Sequence, residues 1–137
     1  MLETRAGLGR KRCSEPVSIV GLDHVQVAAP PGCESEARRY YRDLLGLTEI
    51  EKPEPLRPRG GVWFSLGPQQ LHVGVTARFS PARKAHPALS VASGEIDALA
   101  DRLAAAGAEV LWDDTIPGQR RFFSEDPWGN RLEMVAG

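Results

Sequence analysis

Three histidines and one glutamate carry the clearest chemistry in this chain. His24, His72 and His86 are its only histidines. Imidazole and carboxylate together suit divalent Zn, Fe, Ni, Co or Mn. His24 and His72 stand 48 positions apart, and His86 and Glu133 stand 47 apart. Two nearly equal offsets point to one structural unit used twice, with a metal-capable side chain near each end of it.

The elements that must position these residues repeat in the same order. From Val17, Ile19 to Ala28 alternates and is rich in β-formers, which predicts a strand. Pro30-Pro31-Gly32 ends it. Ala37, Tyr40, Tyr41, Leu44 and Leu45 then form one apolar helical stripe, stopped at Gly46. Strands are predicted at Leu47 to Glu51, Val62 to Leu66 and Gln70 to Thr76, with a Pro/Arg-rich loop from Lys52 to Gly61. The second half repeats this. Pro87 to Val91 reads as a strand. Ile96, Leu99, Ala100, Leu103 and Ala104 form a second stripe, with Ser93 as its expected N-cap and Gly107 as its stop. Glu109 to Trp112, Arg121 to Ser124 and Arg131 to Val135 follow as strands. Asp126-Pro127-Trp128-Gly129-Asn130 makes the last hairpin turn.

Strand alternation sorts the side chains. His24, Gln26 and Ala28 share a face, against Val25 and Val27. His86, Ala88 and Ser90 share a face, against Leu89 and Val91. His72 lies opposite Leu71 and Val73, and Glu133 opposite Leu132 and Met134. All four candidate ligands therefore avoid the strongly apolar face. That face should pack on a helix, and the other is free to line a cavity.

Composition narrows the classes. The 137 residues are 42% apolar with a net charge of −1, which gives enough core for a packed domain and no lead toward nucleic acid or a membrane surface. No apolar run approaches membrane-spanning length. Residues 1–16 carry Arg5, Arg10, Lys11 and Arg12 without an apolar signal core, and read as a disordered tail. Residues 17–76 form module one, 77–85 a linker and 86–137 module two. Cys13 and Cys33 lack CxxC spacing, so a reduced cytoplasmic protein is expected.

Four segments resemble a known family: Leu22-Asp23-His24-Val25-Gln26-Val27, Tyr40-Tyr41-Arg42-Asp43-Leu44-Leu45-Gly46-Leu47, His86-Pro87-Ala88-Leu89-Ser90-Val91 and Asp126-Pro127-Trp128-Gly129-Asn130-Arg131-Leu132-Glu133. They are similar to the vicinal oxygen chelate superfamily of glyoxalases, fosfomycin-resistance enzymes, extradiol dioxygenases and bleomycin-resistance proteins. The resemblance covers Val17 to Gly137 and does not select one activity. It implies an α+β fold of two tandem βαβββ modules, curled as a mixed-sheet cup around a divalent metal. It carries the ligand positions onto His24, His72, His86 and Glu133. Fosfomycin enzymes lack the ligand matching His72. In short members the two modules around one metal often belong to different chains, which implies a homodimer with metal sites at the interface.

The implied activity is that of a glyoxalase-like lyase or isomerase, binding a small substrate through two adjacent oxygens on Zn, Ni, Fe, Mn or Co. Glu133 is the expected general base. Gln26, Trp63, Phe123 and Arg121 are the expected substrate contacts, although parity does not decide between Phe122 and Phe123. The basic loops at Arg57/Arg59 and Arg78/Arg83/Lys84 are candidate anion contacts or plain surface charge. An Fe(II) extradiol dioxygenase is the second reading, weakened by the absence of a fourth histidine. A drug- or metabolite-binding protein of the bleomycin-resistance kind is the third. Retained ligands and basic loops argue against it.

Overall fold

The computed structural model describes residues 17–137; the expected tail, residues 1–16, lies outside them. The chain folds into two four-stranded mixed sheets with few helices. Module one runs β1 (His24–Ala29), α1 (Glu34–Ala37) continuing as a π-helical stretch (Arg38–Leu44), β2 (Thr48–Ile50), β3 (Val62–Leu66) and β4 (Gln69–Val75). Module two runs β5 (Ala88–Val91), α2 (Ile96–Ala105), β6 (Leu111–Asp113), β7 (Arg121–Glu125) and β8 (Arg131–Ala136). The sheet orders are β1-β4-β3-β2 and β5-β8-β7-β6. In each, the first strand pairs parallel with the last and forms one open edge. This is the expected α+β, βαβββ duplication.

Both helical stripes turn inward. Wide π-helical turns let the adjacent Tyr40 and Tyr41 both reach the core, where they are 5% and 0% exposed. The second helix buries Ile96, Ala100 and Leu103. Its end is a Schellman turn: Ala108 N–H donates to the Leu103 carbonyl at 2.9 Å while Gly107 takes a φ of 89°. Gly46 closes the first helix with a φ of 83°. The sheet faces toward the helices bury Val27, Leu71, Val73, Phe64, Phe122, Leu132 and Met134, and both modules contribute to one hydrophobic core.

A polar knot ties the modules together. Asp126 accepts from the Tyr41 hydroxyl at 2.8 Å and from the Asn130 side chain at 2.8 Å. Asn130 also donates to the Ala28 carbonyl at 2.8 Å. Burial raises the Asp126 carboxyl against these hydrogen bonds, which pull it down; the net shift is upward.

Some boundaries differ from the sequence reading. β1 begins at His24, so residues 19–23 are not strand, and Ile19 and Val20 are almost fully exposed. β6 starts at Leu111 rather than Glu109, and β5 at Ala88, just after His86. Ser93 does not cap α2. A short 3-10 turn (Ser93–Glu95) precedes that helix, and the Ser93 hydroxyl donates to the Gly137 carbonyl at 3.2 Å.

Candidate metal centre

The four expected ligands fall into two pairs, one at the open edge of each sheet. Registers explain the pairing. His24 lies opposite Gln70 and Gln26 opposite His72, so the histidines of module one are diagonal neighbours on one face. Ala88 lies opposite Glu133. Continuing that register two residues back sets His86 in the same diagonal relation to Glu133. Among the described residues, no group of three or more His, Cys, Asp or Glu side chains converges on one point.

The module-two pair is arranged to hold a cation. His86 Nε2 lies 3.0 Å from Glu133 Oε1, and His86 Nδ1 lies 2.9 Å from the Lys84 carbonyl. Both ring nitrogens face acceptors, but a neutral imidazole carries one N–H. With the proton on Nε2 the imidazole donates to Glu133; with it on Nδ1, directed at Lys84, the Nε2 lone pair is turned to the carboxylate side, where a metal ion could take it. Two ligands at right angles around an ion with bonds of about 2.1 Å sit about 3 Å apart. The pair matches that spacing.

Arg121 holds the other carboxylate oxygen. Its guanidinium donates to Glu133 Oε2 at 2.8 Å, to Asp113 Oδ1 at 3.2 Å and to the Thr115 hydroxyl at 3.1 Å. Burial pushes the Glu133 carboxyl up. Hydrogen bonds from Arg121 and His86 outweigh it and hold the group below its ordinary range. Glu133 is thus a carboxylate with Oε2 tethered and Oε1 turned toward His86.

The module-one pair is arranged differently. His72 is buried at 3% exposed, stacked on Trp63 at 3.6 Å and on His24 at 4.1 Å. His72 Nε2 is 2.8 Å from the Gln70 amide oxygen, so its proton sits there. Desolvation, then the neighbouring His24, lower the His72 pKa against a smaller opposing pull from Asp23. Imidazole lone pairs lie in the ring plane. Two rings only 19° from parallel do not aim at one nearby ion. His24 Nδ1 lies 2.9 Å from Asp23 Oδ1, leaving Nε2 as the outward donor, the usual division of labour for a ligating histidine.

The expected substrate contacts separate in the same way. Trp63 lies opposite His72 and Phe123 opposite Glu133, so the two aromatics are equivalent in the repeat and both face the cup side. Phe122 is fully buried toward the helix, which resolves the choice in favour of Phe123. Gln26 lies across Gly74. A Cβ there would meet the Gln26 amide at 2.8 Å, so the glycine leaves that side chain its room on the cup face. Arg121 gives its two terminal nitrogens to Glu133, Asp113 and Thr115, while its Nε is buried without a partner among the described residues. Arg57 pairs with Glu51, and Arg83 with Glu125 and the Gly129 carbonyl. Arg131, which the sequence reading does not single out, stands on the Glu133 face two positions earlier. Its period-2 relation to Glu133 was the available signal. A concavity of about 840 Å³ lies elsewhere, lined by Tyr40, Leu44, Ala108 and Pro127.

Comparison with known proteins agrees with this architecture. Residues 21–134 match the model of the Glyoxalase/Bleomycin resistance protein/Dioxygenase superfamily. A glyoxalase family protein from Bacillus anthracis is 47% identical, with a TM-score of 0.84, over 90% of this chain and 99% of that one. The fosfomycin resistance protein FosX from Listeria monocytogenes is 18% identical, with a TM-score of 0.71, over 88% of this chain and 95% of that one, and shares the fold. A mutant of that protein was solved complexed with Mn(II) and 1S,2S-dihydroxypropylphosphonic acid; it has a TM-score of 0.71 at 18% identity, over 88% of this chain and 92% of that one. No curated protein sequence matches the chain.

Proposed function

The chain belongs to the Glyoxalase/Bleomycin resistance protein/Dioxygenase superfamily, and from that premise we propose a homodimeric metalloenzyme of the glyoxalase-like lyase or isomerase kind. Residues 17–137 act in this reading as one vicinal-oxygen-chelate domain. The observation that carries it is the His86–Glu133 pair, an imidazole nitrogen and a carboxylate oxygen 3.0 Å apart, a spacing that suits two ligands of one ion as well as a hydrogen bond. His24, across the cup, supplies a third ligand through Nε2. His72 holds the His24 ring by stacking rather than by binding the ion.

Each module holds half of this set, and each half lies at an open sheet edge. Exposed apolar residues flank the module-one edge: Val17, Ile19, Val20 and Leu22 run into β1. Both features support a site closed between two copies, with His24 from one and His86 and Glu133 from the other. Cys33, a buried free thiol, suits a reducing cytoplasm.

A bound divalent ion would supply Lewis-acid stabilisation of negative charge on a substrate held by two neighbouring oxygens. The protein's own residues do the rest. Trp63 and Phe123 form apolar walls from the two modules, and Gln26 offers an amide to the substrate. Arg121 holds Glu133 Oε2 and keeps the group ionised. Glu133 Oε1, turned toward His86, is the oxygen that would accept a proton from the substrate. Metal analysis of the purified dimer tests the reading. About one divalent ion per chain is expected in the parent, lost in His24→Ala, His86→Ala and Glu133→Ala but kept in His72→Phe. A parent without stoichiometric metal contradicts it.

A further inference from the structure

Two arginines face the cup from module two, and the structure divides their work. Arg121 is engaged with Glu133, Asp113 and Thr115. Arg131 shares the Glu133 face and leans its guanidinium on Phe123, 4.2 Å from the ring centroid. Among the described residues, no carboxylate lies within salt-bridge distance of it and no acceptor takes its side-chain N–H groups. The same Phe123 ring is met edge-on by His86 at 5.7 Å. One aromatic side chain therefore meets both a candidate ligand and a cation whose opposite neighbour across the sheet, Glu125, is paired with Arg83 instead. The repeat adds a second observation. In module one, the place equivalent to Arg131 is Gln70, whose amide is taken up by His72. In module two the corresponding group is charged, larger and unclaimed.

We propose that Arg131 is an oxyanion-binding subsite beside the metal, so the substrate carries a carboxylate, phosphonate or phosphate in addition to its two neighbouring oxygens. Phe123 fixes the guanidinium plane and shields one face from water. A planar fork of N–H donors suits a two-oxygen anion, and the stacking leaves the fork edge free. This inference rests on the metal-centre reading and selects the substrate class for that site.

The test separates the two layers. Binding of three hydroxamates to the Mn(II)-loaded dimer is measured by calorimetry. Acetohydroxamate presents only its two chelating oxygens and no second anionic group; the monohydroxamates of succinate and glutarate add a carboxylate on arms of different length. At least one carboxylate-bearing probe is expected to bind about tenfold more tightly than acetohydroxamate, in line with a charge-assisted bidentate pair. Arg131→Met keeps the long stem over Phe123 and should erase that gain while leaving acetohydroxamate affinity unchanged. Arg131→Lys should restore part of it. Equal binding of all three probes by the parent, or a gain that survives in Arg131→Met, overturns the subsite while leaving the metal centre standing. Failure of every hydroxamate to bind overturns the metal-centre reading and the subsite with it.

Discussion

The two modules are built on one lattice of positions and furnished differently. Trp63 in module one corresponds to Phe123 in module two, His72 to Glu133, and Gln70 to Arg131. Arg121 has a glycine, Gly61, at its equivalent place. Module one therefore presents a neutral stack, Trp63 on His72 on His24. Module two presents a charged network, His86–Glu133–Arg121–Asp113. Duplication of the fold decides where a side chain points. Substitution at the equivalent point decides whether that half contributes an aromatic wall or a charge. Buried charges need their partners far more than stacked rings do, so module two should be the more fragile half.

The largest difference is expected for Glu133→Ala. Arg121 has a side chain only 14% exposed, and losing Glu133 leaves it with Asp113 as its one remaining carboxylate. Urea denaturation of the metal-free protein should show for this variant the largest fall in midpoint among those compared. His24→Ala, at a half-exposed position, should cost under about 1 kcal/mol in the same measurement, although it too abolishes metal binding. Equal stability losses would break the comparison. The knot between the modules comes next. Asp126→Ala strands the buried Tyr41 hydroxyl and the Asn130 amide, and should cost about 2 kcal/mol.

His72→Phe sharpens the contrast from the other side. It keeps an aromatic ring between Trp63 and His24, so stability should change by less than about 1.5 kcal/mol. Metal affinity should stay within about threefold of the parent, below the loss expected even for a group supporting a ligand. A loss as large as that of His86→Ala would make the halves equal in ligand count. The smallest effect concerns pH. Asp126 has a raised carboxyl pKa in the fold, so its contribution is fully present below the unfolded value of about 3.9 and is lost as pH rises through the folded value. Asp126→Asn cannot gain that proton. Between pH 6 and pH 4, it should lose slightly more stability than the parent, as measured by urea midpoints.

Much of this was legible in the sequence because it follows from period. The alternation that set His24, Gln26 and Ala28 against Val25 and Val27 is the alternation in β1, and the 48- and 47-residue offsets are the module repeat. Both helix ends could be read from Gly46 and Gly107, since positive φ at those points favours glycine. Partner choice was not legible. Period places Arg121 and Arg131 on one face but does not say which is taken by Glu133. That depends on Asp113 and Thr115, brought in by a separate strand and loop. The stacking of His72 depends on Trp63 across the sheet, and the register supplying it is fixed only by tertiary pairing. The extended start of β1 was overread because exposed apolar residues before His24 carry the same pattern as a strand.

The central claim is that two half-sites from different copies close one metal centre. Metal binding by a mixed dimer of His24→Ala and Glu133→Ala chains tests it most directly. If the site is shared, one cup of the mixed dimer carries both substitutions and the other carries neither. Tight metal binding, absent from each variant alone, should then return at one site per mixed dimer. If mixing restores no metal binding although the unsubstituted dimer holds its ion, each site lies within a single chain and the account is wrong.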